Sequence, residues 1–257
     1  MKEGTCKLCL EYKKLCKESH IIPKSLYRLL AGENNQLIYI NEEKSKPKYN
    51  SEYEGGILCE NCDNKVIGLL DDYAAKFIYG EFPNKGTSGT EWIEGRETVI
   101  RENDPSYDYS RFKLFLLSVL WRASISSRPF FQKLKLPSAI EEDLRQRILT
   151  GSPGQPDEYP CFIHLPPLIT QPDGRRGFET FYMQTMSPIY MDRGELKMCE
   201  FIIQGMHYYF IIARPANMNV LPSVDTNRLT MAFSKPEEHT QIIQTILDFM
   251  KGHPKRK

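Results

Sequence analysis

Two pairs of cysteines constrain this chain more than any other feature: Cys6-Lys7-Leu8-Cys9 and Cys59-Glu60-Asn61-Cys62. Two residues between thiols let both sulfurs of a tight turn face one ion, and two such knuckles complete a tetrahedral zinc site. The first residues, Met1-Lys2-Glu3-Gly4-Thr5-Cys6, lack the apolar stretch of a secretory signal. The expected compartment is therefore the cytoplasm, where thiols stay reduced. There, metal ligation or core packing explains the seven cysteines better than disulfides do. Four thiolate ligands leave no open coordination position, so a zinc ion held this way is structural rather than catalytic. The rival reading is two unrelated pairs of core cysteines. The 49 residues between Cys9 and Cys59 exceed the roughly 15–20 of a compact zinc ribbon, so an insertion separates the knuckles.

The rest of the 257 residues reads as an α+β protein in two parts. Residues 1–82 carry the zinc module, residues 83–109 are rich in Gly, Pro, Asn, Ser and Thr and read as a linker, and residues 110–257 form an α+β domain. His20 to Pro23 and Gln36 to Ile40 read as short strands, with a short helix over Ser25 to Leu30 between them. Asp63 to Tyr79 has the clearest helical period, with Val66, Ile67, Leu69, Leu70, Tyr73, Ala74, Phe77 and Ile78 on one broad face. A strand is expected around Thr98 to Arg101. Arg111 to Ile125 is almost wholly apolar and predicts a buried helix. Ser138 to Leu149 predicts a second, with Ser138 and Glu141 spaced as a capping box. An antiparallel sheet is expected next, from Cys161–Leu165, Phe178–Met186, Lys197–Gln204 and Tyr208–Ala213, with Gly205-Met206-His207 as a hairpin connection. An amphipathic helix over Pro236 to Met250 closes the domain.

Composition excludes several classes. The most apolar run, Phe112 to Leu120, is interrupted by Lys113 and is too short to span a bilayer. Net charge is +1, which gives no electrostatic signature of a nucleic-acid binder. The charge is uneven: residues 1–50 hold 10 Lys and Arg against 6 Asp and Glu, and residues 51–110 hold 5 against 13. Neither a phosphate-binding Walker loop nor a Gly-x-Gly-x-x-Gly is present. Cys16, Cys161 and Cys199 read as buried small hydrophobes, Cys16 with a spare-ligand reading beside it. His164, His207 and His239 read as structural. Arg122 and Arg128 have two readings, phosphate contact or a salt bridge or cap.

What lies between the knuckles carries the functional reading. His20 stands in Glu18-Ser19-His20-Ile21-Ile22-Pro23, and Leu58-Cys59-Glu60-Asn61-Cys62-Asp63 opens the first long helix. The order Cys-x-x-Cys, His-Ile-Ile-Pro, Leu-Cys-x-x-Cys over residues 1–80 resembles the zinc-stabilised HNH endonucleases, in a bacterial subgroup. The resemblance implies a treble-clef, ββα-metal fold for this module. It implies structural Zn²⁺ on Cys6, Cys9, Cys59 and Cys62, and His20 as general base. It also implies a catalytic Mg²⁺ or Mn²⁺ on Asp63, which stands where the family has His or Asn. Ser19 stands where the family usually has Asp, and Asn61 and Asn64 are open candidates for a further polar role. The implied activity is phosphodiester hydrolysis in DNA, ahead of RNA, by an anti-phage defence effector under control of a regulatory protein partner or of homo-oligomerisation. The rival is an inactive zinc-binding module in a nucleic-acid- or protein-binding scaffold, which Ser19 favours.

Overall fold

The structure is a computed structural model and describes residues 2–30, 37–40, 45–48, 52–79, 88–93, 96–170, 174, 176–178, 185–241 and 243–244. The chain opens with a hairpin of β1 (Glu3–Thr5) and β2 (Tyr12–Lys14), which carries the first cysteine knuckle at its turn. β3 (Ser19–His20) follows, then a 3₁₀ helix over Lys24–Leu30. The strand expected over His20–Pro23 is thus shorter, because Ile21 and Ile22 bend away and bury their side chains. β4 (Leu37–Ile40) and β5 (Ser45–Lys48) pair with each other, and β6 (Tyr53–Glu54) returns to pair with β3. A π-helical turn over Asn61–Ile67 runs straight into α1 (Gly68–Tyr79), with the Gly68 amide donating to the Asp63 carbonyl. The buried stripe of this helix is narrower than its apolar content suggests. Leu70, Tyr73, Ala74 and Phe77 keep helical spacing and are buried, whereas Leu69 falls off the stripe and is exposed.

Residues 83–109, expected to form a linker, contain β7 (Ser88–Ile93) and β8 (Arg96–Glu102), which form a hairpin. α2 (Tyr109–Ile125) is capped by Asp108, whose carboxylate accepts from the Arg111 amide. It is buried continuously from Phe112 to Ser124, as its apolar sequence requires. α3 (Ser138–Thr150) has Pro137 at its N-cap and no side-chain cap. The capping box expected at Ser138 and Glu141 therefore does not form. Ser138 is already helical, and the Glu141 carboxylate accepts instead from the Ser124 hydroxyl on α2, so a tertiary partner outcompetes the local one.

The remaining strands are β9 (Cys161–Leu165), β10 (Leu168–Thr170), β11 (Arg176–Phe178), β12 (Thr185–Arg193), β13 (Leu196–Ile203), β14 (Met206–Ala213) and β15 (Arg228–Phe233). The strand expected over Phe178–Met186 is represented by the ends of β11 and β12, and residues 179–184 lie outside the described residues. The connection between β13 and β14 is Gln204-Gly205, both at positive φ (54° and 74°), the geometry a two-residue hairpin turn requires. Met206 and His207, expected in that turn, belong to β14 instead. Nine strands form one sheet in the order β5-β4-β12-β13-β14-β9-β15-β8-β7. It was expected to be antiparallel and is mixed: β4 with β12 and β9 with β15 are parallel. Residues 236–241 are helical, and the greater part of the C-terminal helix expected over 236–250, with the basic tail, lies outside the described residues.

One hydrophobic cluster runs from Cys6 and Leu8 through α1 and α2 to Phe201, Phe210 and Leu229. Phe115, Leu116 and Val119 of α2 gather there with Phe201, Ile203, Tyr208 and Phe210 of the sheet. A smaller cluster of Met186, Ile189, Met191 and Ile202, joined by Ile243, covers the opposite face of β12 and β13. Cys161 and Cys199 are fully buried, as read from the sequence.

Lys113 lies within α2 and is 0% exposed. Its ammonium group donates to the Tyr159 carbonyl at 2.8 Å, and burial pushes its pKa down to about 8. Between about 8 and the ordinary 10.5 the unfolded chain holds the extra proton, so this group adds stability as pH rises through that window. Lys113→Met removes the contribution. Urea unfolding of both proteins should show the wild type gaining on the variant between pH 7 and pH 10. A difference that stays constant with pH would refute the assignment.

Candidate functional site

The four cysteines of the two knuckles converge. Their sulfurs all lie within 4.8 Å of one another, with Cys9 and Cys59 at 4.0 Å. Tetrahedral zinc with Zn–S of about 2.3 Å needs sulfurs about 3.8 Å apart, so this group could hold a structural zinc ion. The backbone pre-forms it. The Cys6 sulfur accepts from the Cys59 amide at 3.3 Å, and the Lys7 amide donates to the Ile57 carbonyl at 2.9 Å. Cys16 and Leu58 are joined at 2.8 Å, and Leu15 bridges Cys59. Burial, and then the adjacent Cys59 and Cys6, push the Cys62 thiol upward, a cost that a divalent cation reverses by drawing off the protons.

The knuckles are also fastened to the helices behind them. Lys7 donates to the Ile125 carbonyl at the end of α2, at 2.8 Å, and Arg145 of α3 donates to the Leu8 carbonyl. The Glu54 carboxylate on β6 accepts from the hydroxyls of Ser126 and Ser127 and from the Ser127 amide. Burial opposes its charge, but these bonds outweigh that and hold its pKa below the usual range.

Asp63, directly after Cys62, sits on the π-helical turn and is half-buried. Burial raises its pKa, and the charge of Asp71 adds to this. The Ser19 hydroxyl, the Arg122 cation and the Cys16 thiol oppose the rise. Ser19 is fully buried, and its hydroxyl faces Asp63 without completing a well-formed hydrogen bond. Cys16 is therefore neither a core hydrophobe nor a member of the four-thiol group. Its thiol lies against Asp63, and burial with that carboxylate pushes it up to about 11. His20 is the next residue on β3 and is half-buried. Among the described residues its ring makes no hydrogen bond or ion pair, and adjacent strand side chains alternate faces. The structure thus brings Ser19, rather than the His20 imidazole, onto Asp63. Asn61 and Asn64 are exposed.

Arg122 organises this corner. It is 1% exposed and uses all five of its N–H donors. Two go to the Asp71 carboxylate at 2.8 and 2.9 Å, one to the His20 carbonyl at 2.8 Å, and two to the Ser118 carbonyl and hydroxyl. It is saturated by these partners and is not a phosphate contact. Its sequence signal was an arginine inside an otherwise apolar helix, which demands a buried partner. Nothing local identified Asp71 as that partner. Arg128 lies 3.9 Å from the buried Glu52.

Among the three histidines read as structural, His207 and His239 meet at 3.0 Å, and His207 is 3.1 Å from Glu200. Burial pushes Glu200 up to about 8 and His207 down to about 3, so this pair is neutral at neutral pH. No helix among the described residues is long and apolar enough to cross a membrane. No protein-family model, curated protein or solved structure matches the chain.

Proposed function

We propose that residues 1–82 form a zinc-stabilised ββα-metal module of the HNH type that hydrolyses phosphodiester bonds in DNA, ahead of RNA. The observation that carries this reading is the juxtaposition of Ser19 on β3 with Asp63 at the head of the helix. These are the two positions from which the resembled family draws its catalytic ion, and His20 is next in line on β3. The antiparallel β3–β6 pair followed by a helix beginning at the second knuckle supports the same reading. Asp63 supplies a carboxylate oxygen and Ser19 a hydroxyl, a donor set that suits Mg²⁺ or Mn²⁺. Such an ion would stabilise the charge that develops on the phosphate and the leaving oxygen. His20 takes the proton from the attacking water. Arg122 fixes the His20 backbone through its carbonyl. A cytoplasmic anti-phage effector, held in check by a protein partner or by self-association, is the setting this reading implies.

A second reading, an inactive zinc module in a binding scaffold, is favoured by three observations: the His20 ring is not brought onto Asp63, Ser19 offers a hydroxyl instead of a carboxylate and is sealed from solvent, and Cys16 shares the Asp63 pocket. Plasmid cleavage with Mg²⁺ or Mn²⁺ separates the two. His20→Ala should lower the rate by about 100-fold or more with folding intact, and Asp63→Ala should do likewise. The double variant should be no worse than either single one, since groups acting as a unit are not additive. Absence of cutting by the wild type, or undiminished cutting by His20→Ala, would leave the scaffold reading in possession.

A further inference from the structure

We propose that the cavity between α1, α2 and the sheet is a binding site for a small apolar carboxylate, with Arg101 receiving the anion and Gln204 orienting it. The cavity has a volume of about 160 Å³. An apolar protein cavity of about 150 Å³ accepts benzene, so the body of the ligand is one ring or a short branched chain. Its walls come from both helices and four strands and include Phe77, Phe112, Met206, Tyr208, Leu229 and Met231. Aromatic and thioether groups of this kind suit a flat or branched apolar body.

Gln204 and Arg101 interrupt this wall with polar side chains. Gln204 is 2% exposed. Its backbone amide donates to the Thr185 hydroxyl at 3.1 Å, but its side-chain amide makes no hydrogen bond among the described residues. The amide lines the cavity, and a ligand oxygen there gives it a partner. Arg101 donates once, to the Phe77 carbonyl at 3.1 Å, and stacks on the Phe77 ring with 4.7 Å to the centroid. It forms no ion pair among the described residues. Its remaining donors form the planar fork that matches a carboxylate. One cation beside an apolar chamber balances a monoanion, whereas a phosphate dianion would remain undercompensated. The site lies at the Phe77 end of α1, whereas the thiol group lies beside Asn61 at the head of the π-helical turn, so the ligand would touch neither the four thiols nor the residues of the proposed nuclease chemistry.

Phenylacetate and its neutral counterpart phenylacetamide test this with the full chain, by isothermal calorimetry and thermal unfolding. The wild type should bind phenylacetate saturably, one per chain, and about tenfold or more tighter than the amide. Arg101→Met should erase that preference while retaining amide binding. Gln204→Leu, which keeps the volume and removes the side-chain amide, should weaken phenylacetate several-fold. Met231→Trp fills the chamber from a half-buried position and should abolish binding of both. If Arg101→Met fails to fold, Gln204→Leu and Met231→Trp still decide the matter. No saturable binding by the wild type, equal affinity for acid and amide, or phenylacetate binding untouched by these variants would overturn the proposal.

Discussion

Cys59→Ser should cost the protein its metal and, with it, the integrity of more than the N-terminal module. Zinc in a four-thiolate site supplies on the order of 10 kcal/mol of apparent binding free energy at neutral pH, comparable to the whole stability of a domain. Viewed as a module of its own, the first 80 residues would unfold and spare the rest. The packing argues for a wider effect. Cys6, Leu8, Cys59 and Cys62 belong to the same buried cluster as Phe115, Leu120 and Trp121 of α2, and Lys7 and Arg145 tie the first knuckle to both helices. Loss of the ion should therefore loosen α2 and α3 as well, with a lower melting temperature for the single main transition. Metal analysis of protein purified without chelator should give one zinc per chain for the wild type and well under one for the variant. A zinc-free wild type, or a variant with unchanged melting, would contradict this.

Asp71→Ala should be the most destabilising single change that leaves the cysteines alone, by about 3–5 kcal/mol in urea unfolding. The asymmetry of burial is the reason. Arg122 is 1% exposed and Asp71 20%, so removing the carboxylate strands a guanidinium that has no route to water. Two of its donors lose their acceptor, while the bonds to His20 and Ser118 hold it in place. Adding Arg122→Met should recover part of the loss, since the uncompensated charge then disappears. The recovery is incomplete because the His20 carbonyl forfeits its donor. A loss below about 1 kcal/mol, the range of exposed pairs, would mean that this pair contributes little to holding α1, α2 and β3 together.

What the sequence determined by itself was local. The Cys-x-x-Cys spacing specifies a knuckle within four residues, so the four thiols were legible before their convergence was seen. The helical period identified α1, α2 and α3 to within a few residues, and apolar runs located β9, β13 and β14, because each of these signals is written along one short segment. The tertiary structure decided what meets what. β7 and β8 lie in a stretch of turn-forming residues, and their place in the sheet comes from pairing with β15, more than 120 positions later. β4 reaches the same sheet by lying parallel to β12. Glu141 left its expected cap for Ser124, and the Gln204-Gly205 turn moved Met206 and His207 into a strand. At the candidate site, the pairing of Ser19 with Asp63 and that of Arg122 with Asp71 and His20 depend on contacts between residues 44, 51 and 102 positions apart. Such contacts leave no periodic trace, because their free energy arises from burial and charge compensation that exist only once the helices have closed on the sheet.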